Sequence, residues 1–160
     1  MKKLLMPLLV LFIFCGCSSK NASNPTVSGI EFDAKITYND NSYVCSIELE
    51  NSGDMKAEVK KPSNLAGLKV LRKDGKTTAE YLGIKQEIDD LPVDNAADII
   101  LKCYESVTEG EKEGSDNFTS SGKIGDIEYV YTYSPLGLPI SLSVPDKNLK
   151  AEFYNVTAEK

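Results

Sequence analysis

Four cysteines, eight tyrosines and twenty-four carboxylates are the residues of this 160-residue chain that could do chemistry. Cys15-Gly16-Cys17 is the most concentrated of them. A Cys-x-Cys pair can hold a soft metal, exchange disulfides or accept a covalent group, always as the thiolate. There is no histidine. That removes the commonest general base and the commonest metal ligand. Ser-His-Asp and Cys-His mechanisms, and zinc sites that use histidine, are excluded with it.

What surrounds the cysteine pair decides between its uses. Met1-Lys2-Lys3 is a short basic start, and Leu4 to Phe14 is apolar apart from Pro7. A membrane-spanning helix takes about 20 apolar residues, so this run reads as the core of an export signal. Phe14-Cys15-Gly16-Cys17 resembles a bacterial lipobox, in which a small residue precedes the cysteine that receives diacylglycerol. Gly16 fits that place, and Cys17 becomes the acylated N-terminus after cleavage. A metal or redox pair at the edge of a removed segment is the weakest of the three uses. Residues 1–16 are thus expected to be a lipoprotein signal peptide. Residues 17–28, polar from Ser18 onward, form a lipidated tether too polar to build a core. A diacyl anchor, with palmitate-like chains, supplies the two chains that stable membrane attachment needs. The expected place is the outer face of the cell membrane.

Removal of residues 1–16 takes Lys2 and Lys3 and no acid, leaving 16 basic against 24 acidic residues, a formal charge of −8. An acidic surface without a basic stripe is repelled by phosphate backbones and argues against nucleic-acid binding. Besides the acylated Cys17, only Cys45 and Cys103 remain, too few for a disulfide framework. An exported location permits a bridge between them; two buried thiols acting as small hydrophobes are the other reading. Asp89-Asp90 and Glu109-Gly110-Glu111-Lys112-Glu113 lack the spacing of a calcium loop. With no nucleophile–base pair, phosphate loop or metal cluster, the chain is not expected to be an enzyme or to carry a cofactor.

The elements that must position these residues are mostly strands. Ile30, Phe32, Ala34, Ile36 and Tyr38 alternate with Glu31, Asp33, Lys35 and Thr37. The pattern repeats over residues 43–50 and 55–60, with Asn- and Gly-bearing turns between. It returns over 68–72, and Asp74-Gly75 marks a hairpin into a strand over 78–84. Ala96, Ile99, Ile100, Cys103 and Val107 form a helical stripe, with Pro92 and Asp94 as start signals, so a helix is expected over about 93–107. Residues 108–117 read as an acidic loop. Strands follow over 118–124, 127–133, 140–144 and from 149 onward.

About nine strands and one helix make a mainly β (α+β) domain over residues 29–160. A single antiparallel sheet of that size must curl or split. The expected architecture is a strongly curved sheet, or half-open barrel, with the helix on its concave side. Such a surface offers an apolar ligand cavity. Its candidate lining is Phe32, Ile36, Tyr43, Ile47, Ile100, Tyr129, Tyr131 and Leu142; ordinary core packing is the alternative for the same residues.

The export signal, the meander, the block "KKPSNLAGLKVLRKDGKTTAEYLG" and the closing "YTYSPLGLPISLSVPDKNLKAEFYN" together resemble the LolA/LolB/LppX-like lipoprotein superfamily, in particular its Gram-positive members. Lys61-Pro62, Asp74-Gly75 and Tyr81 stand where those families end a strand, turn a hairpin and place a tyrosine. The resemblance implies a half-open barrel with helical cover that holds acyl chains or another hydrophobic ligand. The family's usual amphipathic helix before the first strand has no counterpart in residues 18–28. Two partners are implied besides the membrane: a lipid ligand, or an envelope protein engaged through an exposed face or the acidic loop at 109–116.

Overall fold

The structure, a computed structural model, describes residues 28–88, 92–107, 111–113 and 116–158. The expected leader, Cys17 and all of the expected tether but Ser28 lie outside the described residues, as do Asp89-Asp90 and Glu109-Gly110. No helix among the described residues is long and apolar enough to cross a membrane.

Period-two alternation builds one antiparallel sheet. Its first half is a meander: β1 (Ile30–Tyr38), β2 (Asn41–Leu49), β3 (Met55–Lys61), β4 (Lys69–Lys73), β5 (Lys76–Tyr81) and β6 (Ile84–Glu87). The helix α1 (Pro92–Ser106) follows. A second meander then runs through β7 (Glu111–Glu113), β8 (Asn117–Ile124), β9 (Ile127–Tyr133), β10 (Pro139–Val144) and β11 (Leu149–Ala158), with a 3-10 turn (Pro145–Lys147) before the last strand. The order across the sheet is β6-β5-β4-β3-β2-β1-β11-β10-β9-β8-β7. The first and last strands are therefore central neighbours, with Ile36 opposite Ala151 and Ala34 opposite Phe153.

This order dictates where the helix goes. β6 and β7 are opposite edges of the sheet, and α1 is what joins them. Ten strand spacings make an arc of ~48 Å, and a 15-residue helix is only ~22 Å long. The sheet curls around the helix, which lies across its concave side, and the edges remain unpaired with one another. The result is a curved, unclosed antiparallel sheet with one helix, the architecture expected from the sequence.

The local chemistry follows the pattern. Ile30, Phe32, Ala34 and Ile36 are buried inward, while Glu31 and Lys35 are exposed outward. Asn39 and Asp40 take left-handed backbone, as do Asp74 and Gly75, which suits two-residue hairpin turns. On the outer face the pairing of β1 with β11 slips between Glu31 and Asp33. There the Ser46 hydroxyl donates to Asp33 at 2.7 Å and the Asn155 amide donates at 2.8 Å. Those two bonds, Ser46 first, hold the Asp33 carboxyl below its ordinary range.

Three local expectations are corrected. Residues 78–84 are not one strand: Leu82-Gly83 turns the chain between β5 and β6. Residues 108–117 are not loop throughout, because Glu111–Glu113 pairs with β8. The described strands number eleven rather than nine. Within β10, alternation is interrupted at Ile140, which is only half-buried, where the register against β9 shifts between Pro139 and Ser141.

Candidate functional site

All eight candidate lining residues meet on the concave side. Phe32 and Ile36 on β1, Tyr43 and Ile47 on β2, Ile100 on α1, Tyr129 and Tyr131 on β9, and Leu142 on β10 belong to one buried cluster. Register explains the meeting: Phe32 faces Ile47, Ile36 faces Tyr43, and Tyr131 faces Leu142 across neighbouring strands.

At the centre sits Tyr104, which the helical stripe read from the sequence left out. It stands four residues after Ile100, so it shares the buried face. Its ring stacks on Phe32 at 6.1 Å and meets Tyr131 edge-on at 5.0 Å and Phe153 at 5.9 Å. Tyr131 stacks on Tyr133, which stacks on Phe118. Phe153 of β11, outside the candidate lining, is buried here as well and meets Phe32 edge-on at 5.1 Å.

This aromatic centre carries two polar atoms that it does not satisfy. The hydroxyls of Tyr104 and Tyr131 are fully buried and close enough to perturb one another, and among the described residues neither makes a well-formed hydrogen bond. Burial pushes both phenols up, Tyr104 well above its ordinary value, and each feels the other's proximity. They are neutral donors at any physiological pH. An unpaired buried hydroxyl costs roughly 1–3 kcal/mol, so each calls for an explanation.

Tyr129 is placed differently. Its hydroxyl accepts a bond from Ser106 Oγ at 2.9 Å, and its ring lies over Gly122 on β8. It ties the end of α1 to the β8–β9 side of the sheet. On the other side, Arg72 of β4 pairs with Asp98 of α1, and Lys102 joins the same carboxylate at 2.6 Å. Asp98 and Arg72 are each less than a quarter exposed. Among the described residues, a polar contact on each side thus fastens the helix to both halves of the curved sheet.

Cys45 on β2 and Cys103 on α1 are both free and buried in the core. The bridge that the sequence permits is not formed here, and burial pushes each thiol up to about 12. Among the described residues no group of three or more Cys, Asp or Glu is arranged to hold a metal ion.

No family model matches the sequence, and no curated protein matches it. Among solved structures, the crystal structure of a LolA superfamily protein from Nitrosomonas europaea is similar over 86% of this chain and 89% of that chain, with a TM-score of 0.41 and 8% identity. The curved sheet and its crossing helix stand on the strand order and burial described above.

Proposed function

We propose that this protein is a membrane-anchored lipoprotein that holds lipid acyl chains between α1 and the concave face of its sheet, at the outer side of the cell membrane, in lipid or lipoprotein handling. The observation that carries the reading is the pair of unpartnered tyrosine hydroxyls at the helix–sheet boundary. A permanently closed core gains by having phenylalanine at such positions. A core that parts to admit a ligand has a use for two neutral donors. The helix is the element able to part: it crosses an open sheet and is fastened by Arg72–Asp98 on one side and Ser106–Tyr129 on the other. Each methylene of a chain inserted there gains ~0.8 kcal/mol on leaving water. The anchor rests on Gly16-Cys17 in the sequence. The action is binding, with no catalytic step.

Native mass spectrometry tests the reading. The purified chain is stripped with solvent, incubated with membrane phospholipid and weighed. Retention of lipid at a fixed stoichiometry is expected. A clean ligand-free mass after incubation overturns it.

A second reading, an envelope assembly factor with a protein partner, is favoured by the β5–β6 hairpin. Leu82 and Ile84 are 84% and 72% exposed there, and β6 is an open edge. Exposed apolar edge strands invite pairing with another chain. Loss of a membrane partner on Leu82→Asp, with lipid retention unchanged, would support it.

A further inference from the structure

Beside the helix, the molecule opens into a cleft of about 320 Å³. One wall is apolar: Ile99 of α1, Tyr38 at the end of β1, and Ile124 and Ile127 flanking the β8–β9 turn. All four are partly buried and pack against the central cluster, so this wall continues the core outward. The other wall is charged, with Lys102 and Asp98 on α1 and Lys147 in the 3-10 turn. Asp98 is already held by Arg72 as well as Lys102. Two lysines therefore line the cleft beside one carboxylate that Arg72 already shares, in a chain whose formal charge is −6. Among the described residues no carboxylate is paired with Lys147.

We infer that this cleft is a head-group site for an anionic amphiphile, its carboxylate or phosphate held between Lys102 and Lys147 and its chain laid along Ile99, Ile124 and Ile127. The inference rests on the acyl-binding reading and adds the charge of the ligand and its place of entry. The chemistry is complementary on both walls. A lysine pair recognises an anion as a point charge rather than by a planar fork, which admits either head group. A volume of this size falls at the small end of ligand pockets, enough for a head and the first part of a chain, with the remainder passing under α1. A zwitterionic or sugar head would leave the second lysine uncompensated.

Isothermal titration of the purified chain tests this with dodecanoate, dodecyl phosphate and dodecyl maltoside, each below its micelle concentration. The two anions are expected to bind at least about tenfold tighter than the uncharged maltoside, as a charge-assisted contact gives. The preferred anion tells a free fatty acid from a phospholipid head. Lys102→Gln with Lys147→Gln is expected to lower the anions to the level of the maltoside and leave the maltoside unchanged. Lys147→Gln alone, at an exposed residue outside the helix fastening, should remove part of the difference with no effect on folding. Equal affinity for all three heads in the unmodified protein overturns the head-group site and leaves chain binding standing. Absence of binding by all three overturns both.

Discussion

The ring of Tyr129 occupies the space that a side chain at position 122 would need. A Cβ on Gly122 would collide with the hydroxyl oxygen and Cζ of Tyr129 and stand 2.7 Å from its Cε1. Gly122 and Tyr129 face one another across β8 and β9. A strand glycine ordinarily gains on replacement by alanine. Here the tyrosine must move, and with it the bond from Ser106. Gly122→Ala is therefore expected to destabilise the protein by about 1–3 kcal/mol, the range of overpacking. Urea unfolding measures it. A stabilised Gly122→Ala would show that the ring yields freely.

That relationship also marks what the sequence could and could not say. The faces of the strands were legible because alternation needs only neighbouring residues: Ile30 to Tyr38 reads inward and outward as found. Asp74-Gly75 was legible as a turn for the same reason. Leu82-Gly83 was not, because leucine at a positive φ of 52° carries no turn signal. The eight candidate lining residues were legible as one face. Tyr104, four residues after Ile100, is legible as a member of the same helical face. Its encounter with Tyr131 depends on how α1 crosses from one sheet edge to the other, which no local pattern encodes. The same holds for the Arg72–Asp98 pair, which joins residues of β4 and α1.

Leu82 carries a prediction of its own. It is almost wholly exposed and sits in the left-handed region, where asparagine is at ease. Leu82→Asn is expected to raise stability by up to about 1 kcal/mol, read as a higher urea midpoint with an unchanged slope. A loss of stability would mean that the leucine packs in a way its exposure does not show.

The helix fastening can be read through Cys103. The thiol is buried on the sheet-facing side of α1, so alkylation requires the helix to move. Arg72→Met removes the ion pair on the β4 side. It leaves Asp98 with Lys102 alone, and a partly buried pair of this kind contributes on the order of 1–2 kcal/mol. Cys103 should then react with N-ethylmaleimide about 5–30-fold faster, the factor that such a free energy gives. Cys45, on the sheet, should change less. Equal acceleration at both thiols would indicate global unfolding, not movement of the helix.

Alkali tests the burial of both thiols. An unfolded cysteine titrates near 9.0, whereas Cys45 and Cys103 are pushed up to about 12 in the fold. Between those values the unfolded chain loses protons that the folded chain keeps. Stability must therefore fall as pH rises from about 9, by about 1.4 kcal/mol per pH unit for each thiol, and level off for these groups near 12. The tyrosines Tyr104 and Tyr131, also raised, add to the fall above 10. Cys103→Ala should reduce the slope between pH 9 and 10 by about half. An unchanged slope would mean that Cys103 is not shielded.

The two tyrosine hydroxyls separate a packed core from a binding one. Removing an unpartnered buried hydroxyl removes its desolvation penalty and little else, because the phenylalanine ring keeps the stacking on Phe32 and the edge contact between positions 104 and 131. Tyr104→Phe and Tyr131→Phe are each expected to stabilise the ligand-free protein by about 1–2 kcal/mol. If the hydroxyls serve only a fixed core, nothing else changes. If they serve a ligand, the double variant should be more stable when empty and yet retain less lipid after incubation with membranes, because opening costs more and two donors are gone. Thermal unfolding and lipid retention, measured on the same preparations, move in opposite directions under the binding reading. Parallel movement, or retention unchanged, would assign the pair to packing alone.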